Sequence, residues 1–124
     1  MAGSLMIFTN VVHDSVKLVK CEWTCDSVTG AVSGTTDEYF TGKILGLTTV
    51  PGTGGAQPDD NYDVAANDTN SIDVLMSGGA NRDETNTEHV LSTSLGAVVA
   101  SQLTVAITGA GANNNDGAVY IFIR

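Results

Sequence analysis

The stretch Val16-Lys-Leu-Val-Lys-Cys21-Glu-Trp23-Thr-Cys25 decides how the rest of the chain reads. Val19, Cys21, Trp23 and Cys25 fall on one face, while Lys20, Glu22 and Thr24 fall on the other. Period-two alternation of this kind marks a half-buried β-strand, with one face toward a core and one toward solvent.

Working outward, Leu5–Val12 is β-branched and aromatic and reads as a preceding strand. Asp26–Thr36 (DSVTGAVSGTT) reads as a polar, Gly-containing loop. Glu38–Val50 carries Phe40 and Ile44 on one face and Tyr39, Leu45 and Leu47 on the other. Gly42 and Gly46 share the Phe40 face, where missing side chains allow a bend or close packing against a large ring such as Trp23. Pro51 ends that run, and the glycines and prolines of PGTGGAQPDDN exclude regular structure after it.

Tyr62–Ala66 and Ser71–Met76 read as two short strands around a turn at Asn67-Asp-Thr-Asn. Tyr62, Val64 and Ala66 are expected inward, as are Ile72, Val74 and Met76. Gly78–Asn86 is a polar loop, and Glu88–Ser92 is either strand or the end of a short helical turn. Leu103, Val105 and Ile107 alternate with Thr104, Ala106 and Thr108, and Val119, Ile121 and Ile123 alternate with Tyr120 and Phe122. These two strands are expected to form an antiparallel pair across the GAGANNNDG loop. The C-terminal strand is apolar on both faces, so either it lies centrally between two layers or Tyr120 and Phe122 meet another chain. Apolar runs broken by turn residues roughly every 12 positions are the pattern of a sandwich or barrel. The expectation is an all-β, single-domain antiparallel β-sandwich of about eight strands over residues 1–124, with little or no helix.

Composition narrows the function. An apolar fraction of 42% argues against disorder, and 124 residues suit one core. Fourteen acids against five bases leave a net charge of −9, and no Lys/Arg patch offsets it, which disfavours direct binding to nucleic acid. No stretch approaches the ~20 apolar residues of a membrane helix. The first residues lack a basic segment, and their apolar run is too short for a signal peptide, so the chain is expected to be made in a cytoplasm and to stay soluble. Cys21 and Cys25 lie about 13 Å apart on an extended strand, beyond disulfide reach, and read as buried thiols.

Catalysis needs a nucleophile, a base and a group that orients the base. His13 and His89 are the only histidines, and His13 neighbours Asp14-Ser15 in sequence, which on a strand sends their side chains to opposite faces. GxSxG, P-loop, HExxH and GxGxxG motifs are all absent. The CxxxC at Cys21–Cys25 has the wrong spacing for a zinc knuckle. Asp59, Asp60, Asp63 and Asp68 are weak calcium candidates, since Asp-rich loops supply oxygen ligands, but the DxDxDG pattern is missing. No enzyme activity, metal or other cofactor is expected.

The segment Cys21–Asp26 around Trp23, the run from Val50-Pro51 through Gln57-Pro58-Asp-Asp-Asn-Tyr62-Asp63-Val64, then Asp73-Val-Leu75 and Gly79-Ala-Asn81 resemble small structural proteins encoded among the virion genes of tailed bacteriophages. LTVAITGAG at 103–111 and Tyr120-Ile-Phe-Ile-Arg124 are similar to the close of those proteins. The resemblance spans most of the chain. It implies a non-enzymatic virion component, made in the host bacterial cytoplasm and present in repeated copies. The leading expectation is a capsid decoration or cement protein on the outside of the major capsid lattice, contacting major capsid protein or other virion proteins. Met6, Phe8, Tyr120 and Phe122 are the expected apolar anchors of that interface, because aromatic side chains dominate interface hot spots. A homo-oligomer is expected with it, a trimer foremost. The alternatives are a tail, neck or fibre-attachment component and, less so, a carbohydrate-binding or adhesion module with calcium near Asp59–Asp73.

Overall fold

A computed structural model describes residues 4–13, 15–90, 94–111 and 114–124. Among them nine strands are formed: β1 (Leu5–His13), β2 (Val16–Thr24), β3 (Val32–Thr35), β4 (Phe40–Pro51), β5 (Asp63–Asn67), β6 (Glu88–Val90), β7 (Val98–Ser101), β8 (Thr104–Thr108) and β9 (Asp116–Ile123). A 3-10 turn at Gly54–Ala56 interrupts the Gly-rich loop after β4. Among the described residues no helix is long and apolar enough to cross a membrane.

The larger sheet runs β1-β2-β9-β4-β6, with β7 pairing the first half of β4, and the smaller sheet runs β3-β8-β5. Every pairing is antiparallel. The two inner faces enclose one core. Val19, Cys21 and Trp23 of β2 and Val119, Ile121 and Ile123 of β9 come from one sheet, and Val32, Val64, Val105 and Ile107 from the other. Trp23, Phe40, Ile44 and Ile121 are each at most 2% exposed. Burial of such side chains stabilises the fold by about 1.5–3 kcal/mol apiece.

The strand alternation of β2 is as the sequence indicates, and Tyr62, Val64 and Ala66 are all buried. Several expectations are corrected. Residues 26–36 are not wholly loop, since Val32–Thr35 forms β3, and Val98–Ser101 forms β7. Ser71–Met76 is not a strand. The Asp73 carboxylate accepts the backbone N–H groups of Ala66, Leu75 and Ser77, which winds the segment into turns. Ile72 and Met76 consequently point outward, at 58% and 52% exposure, and Leu75 is buried in their stead. Within Glu88–Ser92 the strand Glu88–Val90 is formed, and residues 91–92 lie outside the described residues.

The β8 and β9 strands are not partners. They belong to opposite sheets, and the loop between them crosses from one layer to the other. In β4 a bulge at Leu45 reverses the alternation: Ile44 pairs with Ile123, then Gly46 with Phe122 and Leu47 with Ile121. One extra residue moves every later side chain to the opposite face. Leu47 therefore joins Ile44 in the core, and Gly46 lies beneath the ring of Phe122 rather than Trp23. Trp23 meets Gly117 and stacks at a tilt on Tyr62, with ring centroids 5.6 Å apart.

Candidate interaction surface

The two sheets differ most on the faces that turn away from the core. Residues directly paired across an antiparallel ladder share a face. In the smaller sheet, the outer face is Ser33 and Thr35 of β3, Thr104, Ala106 and Thr108 of β8, and Asp63, Ala65 and Asn67 of β5. These are small and polar, with the Thr35 and Thr104 hydroxyls 2.8 Å apart.

The outer face of the larger sheet is built otherwise. Leu5, Ile7 and Val11 of β1 lie beside Thr24, Glu22 and Leu18 of β2. Ala118, Tyr120 and Phe122 of β9 continue the row beside Glu22, Lys20 and Leu18, and Val50, Thr48 and Gly46 of β4 follow. Leu5, Ile7 and Val11 are 56%, 50% and 49% exposed, and none of the described elements covers them. A single outward Leu or Val on a protein surface is ordinary, whereas a contiguous row across neighbouring strands marks an interaction surface.

Few charges interrupt this face. The Lys20 ammonium lies 3.7 Å from the Glu22 carboxylate and 5.8 Å from the centre of the Tyr120 ring. Thr48 and Nδ1 of His89 are 2.7 Å apart. At one end a shallow depression of about 390 Å³ is lined by Ile7, Glu22, Thr24, Val50, Asp116 and Ala118.

The four residues expected as anchors divide between the two sides. Tyr120 and Phe122 stand half-buried on the outer face. Met6 and Phe8 stand on the other side of β1, paired with Trp23 and Cys21, and pack partly buried against the core. Gly34 of β3 gives them room: a methyl group there would come within 3.1 Å of Met6 Sδ and 3.2 Å of a Phe8 ring carbon. Leu5, Ile7, Val11 and Leu18 were missed. Leu5–Val12 is apolar at nearly every position, so its own pattern leaves the facing undecided. Only its register against β2 assigns the odd-numbered residues outward.

Several of the acidic residues are occupied in turns. Asp63 accepts the Asn81 N–H at 2.9 Å, and Asp68 accepts those of Asn70 and Ile72 at 2.8 and 3.0 Å. The backbone N–H of Asp59 donates to Ala110, and Asp60 is exposed. Asp26 accepts N–H groups of Thr29 and Val28, which hold its carboxyl below the usual range. No group of three or more His, Cys, Asp or Glu side chains suited to a metal ion occurs among the described residues.

The two thiols are poor nucleophiles where they stand. Burial, aided by the neighbouring Glu22 charge, pushes Cys21 up to about 12. Burial also raises Cys25, whose Sγ–H donates to the Gly111 carbonyl at 3.3 Å. A thiol reacts as the thiolate, so neither is activated near neutral pH. Compared with known proteins, the chain matches no family model, no curated protein and no solved structure.

Proposed function

We propose that the chain is a non-enzymatic structural protein of a bacteriophage particle, a capsid decoration protein that binds the outside of the major capsid lattice in repeated copies. The observation that carries the assembly role is the apolar outer face of the larger sheet, set against a polar outer face on the smaller one. A chain that worked alone would bury or break up a surface of that kind. The buried thiols and the turn-forming Asp26, Asp63, Asp68 and Asp73 support a non-catalytic role, since these groups are already engaged in the fold. The phage context rests on the sequence resemblance along most of the chain.

Cryo-electron microscopy of the particle encoded alongside this chain tests the reading. Density repeated over the capsid lattice is the expected result. Density confined to the tail axis or neck would replace it with a tail, neck or fibre-attachment role, and absence from purified particles would remove the virion role altogether.

A further inference from the structure

We propose that two copies of this chain pair face to face through the outer surfaces of their larger sheets, about a two-fold axis. The proposal rests on the reading of the chain as an assembly subunit and names what covers its apolar face.

Area is the first argument. Four strands ~4.8 Å apart, with about eight residues of ~3.4 Å each, and the three-residue β6 give a face of roughly 600 Å². Two such faces bury about 1,200 Å², the lower bound of specific protein–protein interfaces. Sheets packed face to face align within about 30°, which brings the rows Leu5, Ile7, Val11 and Leu18, Phe122 of the two copies into one apolar layer.

Charge is the second. A chain of net charge −9 repels its own copies over most of its surface. On this face the described acids are Glu22 and Asp116, and Lys20 stands beside them, with Lys43 exposed on the same side of β4. The remaining described acids lie in loops, on the smaller sheet or on the inward side of β6. Two copies can therefore approach here without strong repulsion, and Lys20 of one can meet Glu22 of the other, whereas the similarly weakly charged outer face of the smaller sheet offers no apolar row to bury. A basic partner would be drawn to the acidic loops instead, and an anionic membrane surface would be repelled.

The end strand adds a third argument. Natural edge strands are guarded by Lys, Pro or bulges. β1 (LMIFTNVVH) contains no Lys, Arg, Asp, Glu or Pro, and it pairs in unbroken register from Leu5 to His13. A face-to-face partner leaves the backbone edge of β1 to solvent but buries the apolar side chains beside it, Leu5, Ile7 and Val11, which removes the apolar part of that hazard. A flat patch that pairs with itself is used up by one partner, so it closes as a dimer, whereas a three-fold ring needs two different patches.

Light scattering coupled to size exclusion, on the full chain from about 1 to 100 μM, tests this pairing. The expected species has twice the 12.8 kDa mass of one chain. Ile7→Asp and Leu18→Asp should each weaken the dimer at least tenfold, with circular dichroism unchanged. Val28→Asp, at an exposed loop position, should leave it intact. Zero-length carbodiimide coupling should join Lys20 of one copy to Glu22 of the other. A monomer throughout the range, a trimer, or a dimer that survives both face substitutions overturns the pairing. Should the substitutions unfold the chain, a missing Lys20–Glu22 crosslink between copies of the unaltered protein overturns it instead. These outcomes are read in solution and are independent of where the protein sits on a particle.

Discussion

Gly117 of β9 lies flat against the indole of Trp23 on the paired strand β2. A methyl group at position 117 would come within 2.8 Å of Trp23 Cζ2 and 2.7 Å of the Val50 carbonyl oxygen. Neither neighbour yields easily, because one is backbone and the other is a core ring 2% exposed. Gly117→Ala is therefore expected to destabilise the fold by about 2 kcal/mol, through overpacking and not through lost contacts. Thermal unfolding should show a drop of roughly 5–10 °C. A melting temperature unchanged from the parent would mean that the indole can turn aside.

Cys21 makes stability fall at high pH. Its folded pKa is raised from 9.0 to about 12, so the folded state keeps the proton while the unfolded chain loses it. The contribution is fully present below pH 9 and is lost as pH rises from 9 toward 12, amounting to about 4 kcal/mol over that window. Tyr62, raised chiefly by burial, adds in the same direction. Denaturant midpoints measured from pH 8 to 11 should decline in the parent and decline less in Cys21→Ala. Equal slopes would contradict the assignment.

The Asp73 carboxylate ties three backbone N–H groups, those of Ala66, Leu75 and Ser77. Asp73→Ala strands these donors and is expected to cost about 1–3 kcal/mol. Asp73→Asn keeps one acceptor oxygen and should lose less. Asp60→Ala, at an exposed site, should stay within about 0.5 kcal/mol of the parent. Urea unfolding of the three variants side by side checks the ranking.

Met76 has a φ of 53° and is 52% exposed, so a residue with a Cβ sits in left-handed backbone at little packing gain. Met76→Gly relieves that strain and is expected to stabilise the chain by a few tenths of a kcal/mol up to about 1, after the added freedom of the unfolded chain is subtracted. A lower midpoint in urea would show that the Met76 side chain contributes packing that its exposure conceals.

Where alternation was clean, the sequence could be read directly. Val19-Cys21-Trp23 and Val105-Ile107 point inward as their spacing requires, and the β class follows from them. It was illegible where one residue changes the count or where pairing is remote. Gly42 and Gly46 permit a bend in β4, but nothing in the sequence places the extra residue at Leu45, and that residue decides which side Leu47 faces. Val32–Thr35 is short and contains Gly34, so β3 exists because β8 offers it a ladder, not because its residues favour strand. Ser71–Met76 has the pattern of a strand and forms turns because the Asp73 carboxylate outcompetes a ladder for the local N–H groups. The candidate surface was half legible: Tyr120 and Phe122 stood out because β9 is apolar on both faces, but the facing of β1 depends on a register that no single strand encodes.

The position of β9 between β2 and β4 governs how this fold can be reached. Until β9 arrives, the larger sheet is two separate pieces, each showing a raw hydrogen-bonding edge flanked by apolar side chains. β2 is separated from β9 by roughly a hundred residues along the chain, so the closing step is a slow, long-range search of the kind that puts β-sandwiches in the millisecond-to-second range. During that interval any other extended segment can take the vacant slot. Yield on refolding should therefore fall steeply with protein concentration, and the slot is where a strand borrowed from a neighbouring chain would lodge.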